Sequence, residues 1–196
     1  MKTKILTLFT SVCVLFNLQA QDDTTKTSNA GIKAGYNLAA VSFDGDGETG
    51  QRHGFHVGFY GESFLTESIS LQLEVLYSQQ GYEIKGNGGT FTQKLDYINL
   101  PLMFKMYPDD NFFLEVGPQV GLAISHKEEF DSGFDLFDIE QEFDPNSFDY
   151  GVNFGGGFKT NSGISLGVRY HLGLGDIYDE GSPKNRVWQF SLGFDF

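Results

Sequence analysis

From Gly31 to Phe196 the chain alternates apolar and polar residues with a period of two, in eight separate stretches. Such alternation belongs to strands that turn one face to an apolar phase and the other to a polar one, and no helical period runs for a comparable length. The stretches lie at about residues 31–43, 52–64, 69–82, 95–107, 112–125, 148–160, 164–175 and 187–196. In the fifth, Leu114, Val116, Val120, Leu122 and Ile124 oppose Glu115, Gly117, Gln119 and Gly121; in the eighth, Trp188, Phe190, Leu192, Phe194 and Phe196 oppose Gln189, Ser191, Gly193 and Asp195. Connections after the second, fourth and sixth stretches are short, whereas the others are long and polar. This rhythm predicts an all-β fold, an eight-stranded antiparallel up-and-down transmembrane β-barrel with tight turns at one end and extended loops at the other.

Face parity constrains the turns. Strands four and five both carry their apolar residues at even numbers, so directly paired residues must share parity. A three-residue turn at Asp109-Asp110-Asn111 satisfies this, as does Asn161-Ser162-Gly163 between strands six and seven, with Gly163 at the left-handed position. Pro101 and Pro118 each remove a ladder donor and predict a bulge or local break.

A soluble lipocalin-like barrel would point its apolar faces inward, a membrane barrel outward. An eight-stranded interior is just wide enough to be filled by side chains. It has no room for bulky residues from all eight apolar faces. The opposite faces are rich in glycine, and their charges balance: Lys33, Lys105, Lys159 and Arg169 against Glu62, Glu74, Glu115 and Asp195. Together with His171 these form the expected polar network of the lumen, since charges in a closed bore must pair. Tyr36, Tyr77, Tyr107, Tyr150, Tyr170 and Trp188 are expected in interface girdles. The apolar-outside reading is therefore preferred, and the soluble barrel carrying an apolar ligand is the alternative.

The N-terminus reads as a processing segment. Lys2 and Lys4 precede the apolar run 5–18, and Leu18-Gln19-Ala20 offers a cleavage site, so residues 1–20 are expected to be a secretory signal peptide, 21–29 a flexible lead-in and 30–196 the barrel. The single cysteine, Cys13, falls inside the segment to be removed, so no disulfide staples the mature domain. The net charge of -13 excludes the basic footprint of a nucleic-acid binder.

The stretches Gly31-Ile32-Lys33-Ala34-Gly35-Tyr36-Asn37 and Tyr97-Ile98-Asn99-Leu100-Pro101-Leu102 resemble the Bacteroidetes outer-membrane β-barrel family, also called porin-family or PorT-like. Gly155-Gly156-Gly157-Phe158, Gly167-Val168-Arg169-Tyr170 and the closing aromatic strand fit the same family, and the likeness covers residues 30 to 196. It implies localisation in the cell outer membrane and a structural, surface-recognition or secretion-accessory role, with a small pore or transporter as the alternative. Phe190, Leu192, Phe194 and Phe196 resemble the C-terminal signal read by the barrel-assembly machinery during insertion. The expected partners are outer-membrane lipids, that machinery, and an envelope protein or surface partner; the barrel is expected to be a monomer.

The long connection from Lys127 to Asp149 interleaves acids with phenylalanines. Glu128, Glu129, Phe130, Asp131, Phe134, Asp135, Phe137 and Asp138 form a candidate recognition loop, weighed against a merely solvating acidic loop. Asp44-Gly45-Asp46-Gly47-Glu48 alternates carboxylates but lacks a full calcium loop and reads as a flexible glycine loop. His56, His126 and His171, with His53 in a loop, lie in no nucleophile motif. No catalytic residue, cofactor or metal site is expected, and the chain is read as a non-enzyme.

Overall fold

The computed structural model describes residues 28–43, 47–86, 89–131, 139–141, 148–177 and 183–196. The expected processing segment 1–20 and most of the lead-in lie outside them. Among the described residues ten strands are formed: β1 (Asn29–Phe43), β2 (Gly47–Glu48), β3 (Gly50–Thr66), β4 (Ile69–Gly86), β5 (Gly89–Met106), β6 (Phe112–Asp131), β7 (Ile139–Gln141), β8 (Phe148–Lys159), β9 (Ile164–Gly173) and β10 (Lys184–Asp195). Eight of them pair antiparallel with their neighbours in the order β1, β3, β4, β5, β6, β8, β9, β10. The ring closes where β10 returns to β1, from Gly31↔Asp195 to Ser42↔Lys184. Closure leaves no open edge, the only way strands can satisfy their backbone in hydrocarbon. The short strands β2 and β7 add to the outer ends of β1 and β6.

Parity holds at the tight turns. Met106↔Leu114 and Lys159↔Ser165 keep like faces together, and Gly163 has φ 83°, a left-handed conformation suited to glycine. At the prolines the pairing skips from Pro101↔Gln119 to Phe104↔Val116 with the register unchanged, so the missing donors interrupt the ladder without a bulge. The register shift falls instead between Asp96 and Tyr97, opposite Ala123 and Ser125, where Ile124 is the extra residue. Beyond it the facing of β6 reverses.

Several strands are longer than the sequence pattern suggested. β4 and β5 remain paired up to Gly86↔Gly89, so residues 83–94, expected in a long loop, are a hairpin arm. His53, expected in a loop, lies within β3. Lys127–Asp131 belongs to β6 and Ile139–Gln141 to β7, which removes Glu128, Glu129, Phe130 and Asp131 from the loop assigned to them. Strands of up to 20 residues exceed the roughly 9–11 needed to cross a bilayer with tilt, so the barrel wall continues past the membrane on the loop side. The pattern faded there because a strand standing in water no longer needs one uniformly apolar face.

Ile32, Phe55, Val57, Phe59, Leu114, Val116, Phe154, Leu166, Val168, Leu192 and Phe194 stand exposed on the outer wall, while Lys33, Glu62, Glu115, Lys159 and Arg169 of the same strands are buried inside. This inverts a soluble protein. The ring pairs Tyr36–His53, Phe55–Tyr77, Phe154–Tyr170 and Tyr170–Trp188 form much of an aromatic belt. Tyr107 is not part of any girdle: it is 5% exposed and points into the bore, because odd positions of β5 face inward.

Candidate functional site

The bore is filled in three layers. Nearest the short turns, Glu62 on β3 accepts hydrogen bonds from Ser70 Oγ at 2.6 Å, Tyr107 OH at 2.5 Å and Lys159 Nζ at 2.8 Å. Lys159 also reaches Asp195 at 2.8 Å, and Tyr60 donates to the same Asp195 carboxylate. Lys105 lies 3.4 Å from Glu62, donates to Gln72 Oε1 at 3.0 Å, and stands 4.0 Å over the Phe113 ring. That ring face is electron-rich and attracts the ammonium.

Just above, Arg169 of β9 spans the bore. Its Nη1 and Nη2 each donate to Glu74 at 2.8 Å, while Nε and Nη2 donate to Glu115 at 2.7 and 3.1 Å. The planar guanidinium fork matches two carboxylates at once, which a lysine ammonium does not. Lys33 completes Glu74 at 2.6 Å, and Gln72 Nε2 donates to it as well. Four cations and four carboxylates, one from each of the eight barrel strands, thus meet in one connected, buried network. It closes the bore. The wall glycines make room: a Cβ on Gly35 would stand 2.5 Å from the His56 ring, so that imidazole lies flat on bare backbone.

The middle layer is neutral. His56 Nδ1 donates to Asn37 Oδ1 at 2.7 Å, because an amide oxygen only accepts, and Nε2 receives Ser191 Oγ at 3.0 Å. His171 Nδ1 likewise donates to Asn153 Oδ1 at 2.8 Å, with Asn153 held by Gln119 at 3.0 Å. His171 therefore stands in this layer, above the ion pairs. In the outer layer Val41, Tyr82, Leu95, Tyr97 and Ile177 pack into an apolar cluster beside buried Arg52, Gln80 and Gln93.

The expected recognition residues are dispersed. Glu128 accepts from Gln93 Nε2 at 2.9 Å, and Glu129 pairs with Lys94 outside the wall. Phe134, Asp135, Phe137 and Asp138 lie outside the described residues, as does 44–46 of the glycine loop. Phe190, Leu192, Phe194 and Phe196 are all exposed on the outer wall of the closing strand. A search by charge alone passes over Ser70, Gln72, Tyr107 and Asn153. Inward parity is the signal that finds them.

A closed antiparallel barrel, apolar outside and ion-paired within, defines an integral outer-membrane protein. Residues 19–179 match the outer membrane protein beta-barrel domain, and the chain belongs to that family. Similar solved structures include Ail, the attachment invasion locus protein of Yersinia pestis (14% identity, TM-score 0.52), and Neisserial surface protein A (15% identity, TM-score 0.52). Each covers 87% of this chain and is itself covered in full at 100%. At such identities the likeness is one of fold. No curated protein matches the chain.

Proposed function

We propose that this protein is a non-conducting, non-enzymatic barrel that anchors a surface-recognition platform in the outer membrane. The buried ion network carries the reading: Arg169 and Lys33 converge on Glu74 across the lumen, and such a filled bore favours a closed barrel over a channel. The wall beyond the bilayer then presents the outer connections. Between β6 and β8 the sequence holds Asp135, Asp138, Glu140, Glu142 and Asp144, which suits a basic partner surface. Ail, of similar fold, has been crystallised with the heparin analogue sucrose octasulfate; the acidity here argues against a polyanion of that kind. The PorT-like motifs support a second reading, service to a secretion apparatus in a Bacteroidetes-type envelope, with Phe190 to Phe196 guiding assembly of a monomer.

Single-channel recording on the refolded chain in planar bilayers tests the central point. Conductance near zero is expected. Steady channels with flux of small solutes in liposome swelling would establish the pore reading instead. Deleting residues 132–138 should abolish adhesion of cells displaying the protein while leaving the heat-dependent gel shift of the folded barrel intact. Unchanged adhesion would remove that segment from the recognition role. The mature chain from the outer membrane is expected to begin at Gln21, and Edman sequencing of the purified protein checks it.

A further inference from the structure

On the outer wall of β10 the run of apolar side chains ends at an arginine. Phe196, Phe194, Leu192, Phe190 and Trp188 stand exposed at alternate positions, and the next residue on that face, towards the long loops, is Arg186. From Phe196 to Trp188 the apolar face runs for nine residues, close to the roughly 9–11 that carry a tilted strand across the hydrocarbon. Arg186 therefore stands at headgroup depth, one step above the aromatic belt, where Trp188 packs on Tyr170 with ring centroids 4.8 Å apart. On an outer-membrane barrel the long loops face outwards, so that depth belongs to the outer leaflet.

The guanidinium is held in place but only partly used. Arg186 Nη1 donates to the backbone carbonyls of Gly173 at 2.8 Å and Asn185 at 2.9 Å, which ties the side chain to the end of β9. Among the described residues its Nε and Nη2 have no acceptor, and it forms no ion pair. That free edge is the one with which Arg169 grips both oxygens of Glu115, through Nε at 2.7 Å and Nη2 at 3.1 Å. Two parallel N–H groups match two oxygens of a carboxylate or a phosphate. The residues paired with Arg186, Ala40 on β1 and Leu172 on β9, offer no acid. Lys184 lies on the same face one step further out, and it approaches Asp176 no closer than 4.0 Å.

We propose that Arg186 binds the phosphate of an anionic lipid in the outer leaflet, with Lys184 beside it and the acyl chains lying down the wall over Trp188 and Phe190. Depth decides between the oxyanions. At the boundary of hydrocarbon and water the abundant oxyanion is the lipid phosphate, which draws basic side chains there. A free phosphate has the same oxygens but no chains to lay against the aromatic belt. The fork also explains the residue type, because a lysine ammonium offers a point charge in place of two parallel donors.

Trp188, the single tryptophan of the chain, reports on this site without a label. The full mature chain is refolded into phosphatidylcholine vesicles that contain either phosphatidic acid or phosphatidylcholine with brominated acyl chains, which quench an indole they touch. Quenching should show about a fivefold preference for the brominated phosphatidic acid, the size expected of one basic side chain near a bilayer surface. Arg186→Gln should bring the two lipids to parity, whereas Lys127→Gln, on β6, should leave the preference unchanged. Phenylglyoxal labelling of the unaltered barrel covers the case in which the Arg186 variant fails to fold: Arg186 should be modified in phosphatidylcholine and protected by phosphatidic acid. Equal quenching by the two lipids, the same preference in a folded Arg186→Gln barrel, or equal labelling in both vesicles would overturn the proposal. So would displacement of the phosphatidic acid by excess inorganic phosphate, which would make free phosphate the ligand.

Discussion

Replacing Arg169 with leucine is expected to destabilise the barrel by about 3–5 kcal/mol, the usual cost of stranding a buried charge after its partner is removed. Glu115 loses its donors from Nε and Nη2, and Glu74 loses two more while keeping Lys33. Neither carboxylate reaches bulk water. Adding Glu115→Gln should recover much of the loss, since Glu74 keeps Lys33 and buried ion networks can often be replaced by neutral groups without penalty once no charge is left alone. Urea unfolding in micelles, followed through the fluorescence of the single tryptophan, Trp188, reads the difference. A change below about 1 kcal/mol in the single variant would mean that solvent reaches the carboxylates and that the bore is wet.

Arginine in place of Val168 gives the second large effect. Val168 stands on the outer wall of β9, exposed by 42%. A basic residue on the lipid face near the bilayer midplane costs about 2–4 kcal/mol, falling towards zero at the interfaces. The same exchange on a water-facing surface usually stays within about 0.5 kcal/mol. Ser162→Arg, in the exposed turn between β8 and β9, should therefore be nearly silent. Folding titrations in lipid vesicles distinguish the two. Equal stability of both variants would contradict lipid contact at Val168.

The alternation in the transmembrane part of each strand was legible because two incompatible phases, lipid and packed lumen, act on opposite faces of every residue pair. Lys33, Glu74, Glu115 and Arg169 could be assigned to one interior from parity and charge balance. Their partners could not. That Arg169 forks between Glu74 and Glu115, while Lys159 bridges Glu62 and Asp195, depends on barrel stagger, which offsets residues that no local spacing relates. Tyr107 was misplaced into a girdle because an aromatic near a strand end suits either face, and only the register of β5 turns it inward. The reach of β4, β5 and β6 past the bilayer was missed for a similar reason: with water on the outside, the physical cause of strict alternation is gone.

By itself the sequence determined a strand-built membrane domain with its apolar faces outward, since period-two patterning, glycine-rich inner faces and balanced inner charge leave few other ways to bury this chain. The tertiary structure decided which charges meet, where the bulge at Ile124 reverses a face, and that Asp149 and His171 stand together. Those facts arise from contacts between strands distant in sequence, set by closure of the ring at β1 and β10.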